Sequence, residues 1–225
     1  MSAVVMAEVQ KETNKKDKPK VHLDNLSKKD LPAVAQIHLA AFPESGLTML
    51  GLEAVRRYYE WQLTGPHDVT ALGAFVDGEL AGFCFCGIFR GATSGFLSHN
   101  KSYLTWRVLT HPWLFANPII RDRINISTHL LSGFSRTKKK ETKKPQDRMK
   151  PFGILSIAVH PNRQGLGIGK LLMLESETIA RRQNFREMDL TVHPENHQAV
   201  GFYESLAWKK CEQEGVWKGF MKKTL

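Results

Sequence analysis

Apolar and polar positions alternate along most of this 225-residue chain, with a period that changes from one run to the next. Val21, His22 and Leu23 read as a short strand. Leu31, Val34, Ala35, Ile37 and Leu39 recur at helical spacing and predict a helix to about residue 41. Pro32 suits a first turn, so Asp30 is a better cap for that helix than Ser27. A second helix is expected over residues 50–63. Apolar runs at 71–76 and 79–89 flank Asp77 and Gly78, a pair suited to the type I′ turn of a hairpin. Further on, the pattern predicts a strand over 154–160, a helix over 165–183 and a strand over 188–192. A helix over 197–206 follows, with Asn196 as its cap. Two closing strands, 209–214 and 216–222, surround Glu214 and Gly215. The order β-α-α-β-β-β-α-β-α-β-β describes a mixed α/β fold.

Composition bounds this picture. Hydrophobic content of 42% is ordinary for a globular chain large enough to bury one sizeable core. Residues 1–20 are polar and lysine-rich and are expected to be a disordered tail, with one domain over 21–225. No run of about 18 apolar residues is present to span a bilayer, and the N-terminal residues lack the basic and apolar regions of a secretion signal. Cys84 and Cys86 lie two apart, and Cys211 is the third. That spacing is neither a redox pair nor a zinc knuckle, so all three are expected to be reduced, and no metal site is expected.

The formal charge of +10 is unevenly placed. Residues 90–150 carry thirteen basic and three acidic side chains, which accounts for the whole excess. Within them, Tyr103, Trp106, Trp113 and Phe115 lie among apolar residues, followed by Lys138, Lys139, Lys140, Lys143 and Lys144. The first reading is a packed helical subdomain, with a solvated lysine loop at 136–150. The second is an amphipathic surface for an anionic membrane. No nucleic-acid motif accompanies the basic residues, and nucleic acid is not an expected partner.

The most specific chemistry lies after the strand at 154–160. Gln164, Gly165, Leu166, Gly167, Ile168, Gly169 and Lys170 form a glycine-rich turn that opens a helix. Unpaired amides and the helix dipole make such a start an anion site. A P-loop would need a Ser or Thr after Gly169-Lys170 and a glycine at position 164, and the chain has Leu171 and Gln164 there. A dinucleotide fold would need a long parallel alternation that is missing. The turn does fit the pattern [Q/R]-x-x-G-x-[G/A]. Downstream, Leu190, Val192, Asn196, Ala199, Phe202 and Tyr203 fit L-x-V-x-x-x-N-x-x-A-x-x-F-Y, with Ala207-Trp208 standing where that pattern ends in Gly-Phe.

These two linked motifs resemble the GNAT superfamily of acetyl-CoA-dependent N-acetyltransferases. The resemblance covers residues 21–225 apart from 90–150, an enlarged basic insertion where the family has a short connection. It implies the GNAT acyl-CoA N-acyltransferase fold, in which the two motif strands splay apart. It also implies that residues 164–170 and Asn196 bind the co-substrate, while Ile157, Ala158 and Val159 contact the pantetheine arm through main chain. Tyr203 resembles the family tyrosine that protonates the departing sulfur. The base stays open among His193, His160, Glu44 and Glu79, with His193 the first candidate. The implied function is transfer of acetyl to a primary amine (a small molecule, an amino sugar or a protein N-terminus) in a ternary complex. The alternative is a non-catalytic acyl-CoA-binding module whose basic insertion binds a membrane or an anionic partner. The expected localisation is cytoplasmic, with peripheral contact at the inner face of the membrane under the amphipathic reading.

Overall fold

The computed structural model describes residues 20–111 and 151–225. Its strands are β1 (Val21–Asn25), β2 (Asp68–Val76), β3 (Glu79–Ile88), β4 (Phe152–Val159), β5 (Glu187–Thr191), β6 (Lys209–Gln213) and β7 (Val216–Thr224). They form one seven-stranded sheet in the order β1-β2-β3-β4-β5-β7-β6. Every neighbouring pair is antiparallel except β4 and β5. Both hairpins turn through positive φ, at Asp77-Gly78, as that pair predicts, and at Glu214-Gly215.

Helices cover both faces. On one face lie α1 (Leu31–Ala41), the short α2 (Gly46–Met49) and α3 (Leu52–Thr64). Leu31, Val34, Ile37, Val55 and Tyr59 pack there against Phe83 and Phe85 of β3. On the other face lie α6 (Ile168–Arg182) and α7 (His197–Ser205), whose Ile168, Leu172, Met173, Val200 and Tyr203 meet Cys84, Ile154, Met188 and Leu190. The central strands β2, β3 and β4 therefore show apolar residues to both faces and read as nearly continuous apolar runs. Cys84 and Cys86 are buried free thiols on the α6 face.

Two helices, α4 (Ala92–His99) and α5 (Lys101–Thr110), form the described part of the basic insertion. Phe96 is buried, whereas Trp106 and Leu109 are exposed at 59% and 72%. Arg107 ties α5 to the loop before α3, donating from Nε to the Leu50 carbonyl at 3.0 Å. The lysine runs at 138–144, Trp113 and Phe115, like the tail at 1–19, lie outside the described residues. No helix among the described residues is long and apolar enough to cross a membrane.

The pattern reading differs from the structure in four places. Asp30 does not cap α1 with its side chain. It accepts the backbone N–H and the hydroxyl of Ser27 instead, closing a one-turn 3-10 helix over Lys28–Asp30. Helix α2 was too short to leave a periodic trace. Helix α6 starts at Ile168 rather than at 165, because Gly165 and Gly167 adopt left-handed conformations that end the turn before the helix begins. The fourth difference, a bulge in β4, shapes the site.

Candidate active site

Strand β4 pairs with β3 from Gly153 to Val159, but the register slips between Phe85 and Cys86, where Phe85 faces Ser156 and Cys86 faces Ile154. Leu155 is the extra residue. A bulge reverses the alternation behind it and bends the strand. Leu155 and Ala158 accordingly both pack on the α1 face, while Ile154, Ile157 and Val159 pack on the α6 face. On its other edge β4 shares only three rungs with β5, the last being Ile154 with Leu190. Beyond that rung the two strands part. The edge of β4 over Ile157, Ala158 and Val159, the residues that the resemblance assigns to the pantetheine arm, is left without a strand neighbour among the described residues.

A turn rich in unpaired amides follows β4. His160 starts a 3-10 turn over Pro161–Arg163, and its Nδ1 accepts the Asn162 N–H at 3.2 Å. The Gln164 side chain donates to the Val159 carbonyl at 3.4 Å, folding the turn back onto the end of the strand. From Gly165 through Lys170 no amide reaches a backbone carbonyl. The first bond of α6 is that of Leu171 to Gly167. Six consecutive N–H groups therefore open a 15-residue helix. Gly165 at φ +80° and Gly167 at φ +77° permit this path, and a Cβ on either would point into open space. An extended anionic group such as a pyrophosphate fits this cradle. Lys170 is exposed beside it.

The second motif packs directly on the first. A Cβ at Gly169 would lie 3.4 Å from the Phe202 ring, so α7 rests on the first turn of α6. Asn196 caps α7, its Oδ1 accepting the Ala199 N–H at 3.0 Å. The helix ends in a Schellman arrangement: the Trp208 N–H donates to the Tyr203 carbonyl and the Ala207 N–H to that of Glu204. Its usual apolar contact is the Tyr203–Trp208 pair, with ring centroids 6.2 Å apart. The helix end thus positions Tyr203. The departure from Gly-Phe in the sequence falls on the left-handed residue, since Ala207 has φ +65°. Ala207→Gly is expected to stabilise the fold by about 1 kcal/mol, measured by urea unfolding at constant m.

Tyr203 is 9% exposed, and burial pushes its phenol well above the ordinary value. It is protonated across the neutral range, the form an acid needs. It lies in the same apolar cluster as Ile157 and Val159. The base candidates are dispersed. His193 is exposed just beyond β5, Glu44 is exposed after α1, and Glu79 pairs with Arg163 at 3.4 Å.

One polar constellation escaped the sequence reading. His38 of α1 is 7% exposed. Its Nδ1 lies 2.8 Å from the Tyr59 hydroxyl, which lies 2.9 Å from Ser156 Oγ on β4. Its Nε2 lies 3.3 Å from Ser45 Oγ. Burial lowers the His38 pKa from 6.5 to about 4. A folded-state value below the unfolded one means that the unfolded chain binds more protons between these limits. Stability is therefore expected to fall as pH drops from 6.5 through 4, by up to about 3 kcal/mol from this group. His38→Gln should remove that part of the slope in chemical denaturation at pH 7 and pH 4.5. Two sequence signals could have exposed the constellation: a histidine on the apolar face of a helix, and a lone serine in an apolar strand.

Comparison with known proteins agrees with this geometry. Residues 142–208 match the family model described as the acetyltransferase (GNAT) family. No curated protein sequence matches significantly. Among solved structures, the PaiA N-acetyltransferase of Thermoplasma acidophilum in complex with coenzyme A aligns with TM-score 0.56 at 17% identity. That alignment covers 92% of this chain and 99% of the other. The ribosomal-protein-S18-alanine N-acetyltransferase of Escherichia coli aligns at 0.53 and 14%, covering 91% and 94%. YncA of Salmonella typhimurium, a putative acetyltransferase with its cofactor acetyl-CoA, aligns at 0.52 and 17%, also covering 91% and 94%.

Proposed function

We propose that the chain is a GNAT acetyltransferase, on the match of residues 142–208 to that family and the shared fold, and that it transfers acetyl from acetyl-CoA to a primary amine by direct attack in a ternary complex. The observation that carries this reading is the parting of β4 from β5 beside a turn of six unpaired amides. Acetyl-CoA supplies a thioester, an acyl group already activated toward nitrogen. The residues do the rest. Amides from Gly165 to Lys170 hold the pyrophosphate, and the free edge over Ile157, Ala158 and Val159 holds the arm. In the transfer a C–N bond forms, the C–S bond breaks, the amine gives up a proton and the sulfur gains one. Tyr203 donates the sulfur's proton. Asn196 caps α7 through Oδ1 and is itself an exposed residue, so a co-substrate contact there is compatible with capping.

Small amines, amino sugars and protein N-termini all meet this chemistry. The decisive experiment is thiol release from acetyl-CoA against a panel drawn from those three classes, with the acetylated amine identified by mass. Thiol release matched by N-acetylated product supports the proposal. Tight acetyl-CoA binding without release against the whole panel favours the non-catalytic binding module.

A further inference from the structure

The polar chain behind β4 has a direction that its hydrogen inventory dictates. The Thr48 hydroxyl lies 2.7 Å from the Phe42 carbonyl, which only accepts, so the single Thr48 hydrogen is committed there. The Ser45 hydroxyl must then donate to Thr48 Oγ1 across 2.9 Å. With its hydrogen used, Ser45 Oγ accepts from His38, and Nε2 carries the imidazole proton. A neutral ring with hydrogen on Nε2 has a bare Nδ1, so the Tyr59 hydroxyl donates to it. Tyr59 Oη in turn accepts from Ser156, the only arrangement left for their 2.9 Å contact. One carbonyl thus orients five side chains from α2 through α1 and α3 to the sheet.

At the end of this chain stands Ser156, two residues past the last rung that joins β4 to β5. Its hydrogen is turned inward to Tyr59 and its residue is only half-buried, so its oxygen offers lone pairs, and no donor, to whatever enters. Resting on the acetyl-transfer reading above, we propose that Ser156 is the acceptor-binding residue. Its oxygen accepts an N–H of the incoming amine, and Tyr59 and His38 are positioning residues that keep the hydroxyl from turning outward. A neutral amine that donates one hydrogen here keeps its own lone pair for the acyl carbon. The site therefore selects acceptors that have a hydrogen to give. Buried Tyr59 and His38 act only through Ser156.

The test uses the full chain with acetyl-CoA and three probes: n-butylamine, glucosamine and a peptide with a free N-terminus. Whichever releases thiol fastest serves for kinetics. Ser156→Ala is expected to lower kcat/KM for the amine about tenfold while the acetyl-CoA KM stays within about twofold. Ser156→Thr, which keeps the hydroxyl, should restore most of the loss. Tyr59→Phe should reproduce the Ser156→Ala loss, because the freed hydroxyl can turn its hydrogen outward. Nitrogen-15 NMR of the unsubstituted protein gives a readout free of turnover: His38 should show hydrogen on Nε2 and none on Nδ1. An amine kcat/KM unchanged in Ser156→Ala overturns the proposal, as does the opposite His38 tautomer. No thiol release from the unsubstituted protein with any of the three probes removes the transfer reading itself, and this proposal with it.

Discussion

Tyr203→Phe is expected to lower kcat for acetyl transfer by about a hundredfold or more and to leave the Kd of coenzyme A within about twofold. The change removes one oxygen from a buried ring and keeps its packing against Trp208 and Phe202, so the cleft should survive it. No described hydrogen bond uses the Tyr203 hydroxyl to hold the fold, so its deletion leaves no partner unsatisfied. A loss of turnover would therefore report chemistry. A purely structural tyrosine would leave kcat intact. Stopped-flow thiol release with parallel calorimetric titration of coenzyme A separates the two.

Gly167→Val is the second large effect, and it acts on binding. Residue 167 sits at φ +77°, a conformation that costs a β-branched residue about 1–2 kcal/mol or more. A Cβ there meets no protein atom, so the new side chain projects into the space over the amides. Weaker cradle geometry and an occupied cradle act in the same direction. The Kd of coenzyme A is expected to rise at least about tenfold, with the far-UV circular dichroism unchanged. Gly169→Ala is a useful contrast, since its Cβ would meet the Phe202 ring at ordinary contact distance.

Much of the site was legible in the sequence because it is local. The glycine turn, the Asn196 cap and the Asp77-Gly78 hairpin turn are properties of a few adjacent residues. The strand order and the parting of β4 from β5 came through resemblance, and no periodicity would have shown them. The bulge at Leu155 was invisible for a physical reason. One unpaired residue in an apolar strand moves later side chains to the other face without changing composition. The His38–Tyr59–Ser156 chain was missed because its members lie 21 and 97 positions apart and meet only when α1, α3 and β4 pack. The lysines at 138–144, five of the thirteen basic residues in the insertion, lie outside the described residues.

The central claim is that the turn after β4 holds the pyrophosphate of coenzyme A while the open edge of β4 holds the pantetheine arm. Backbone amide NMR during titration with coenzyme A, and separately with pantetheine, addresses it directly. Coenzyme A should shift the amides of Gly165 to Lys170 together with those of Ile157 to Val159, and pantetheine only the latter. Unmoved amides at Gly165 to Lys170 with coenzyme A at saturation would contradict the account.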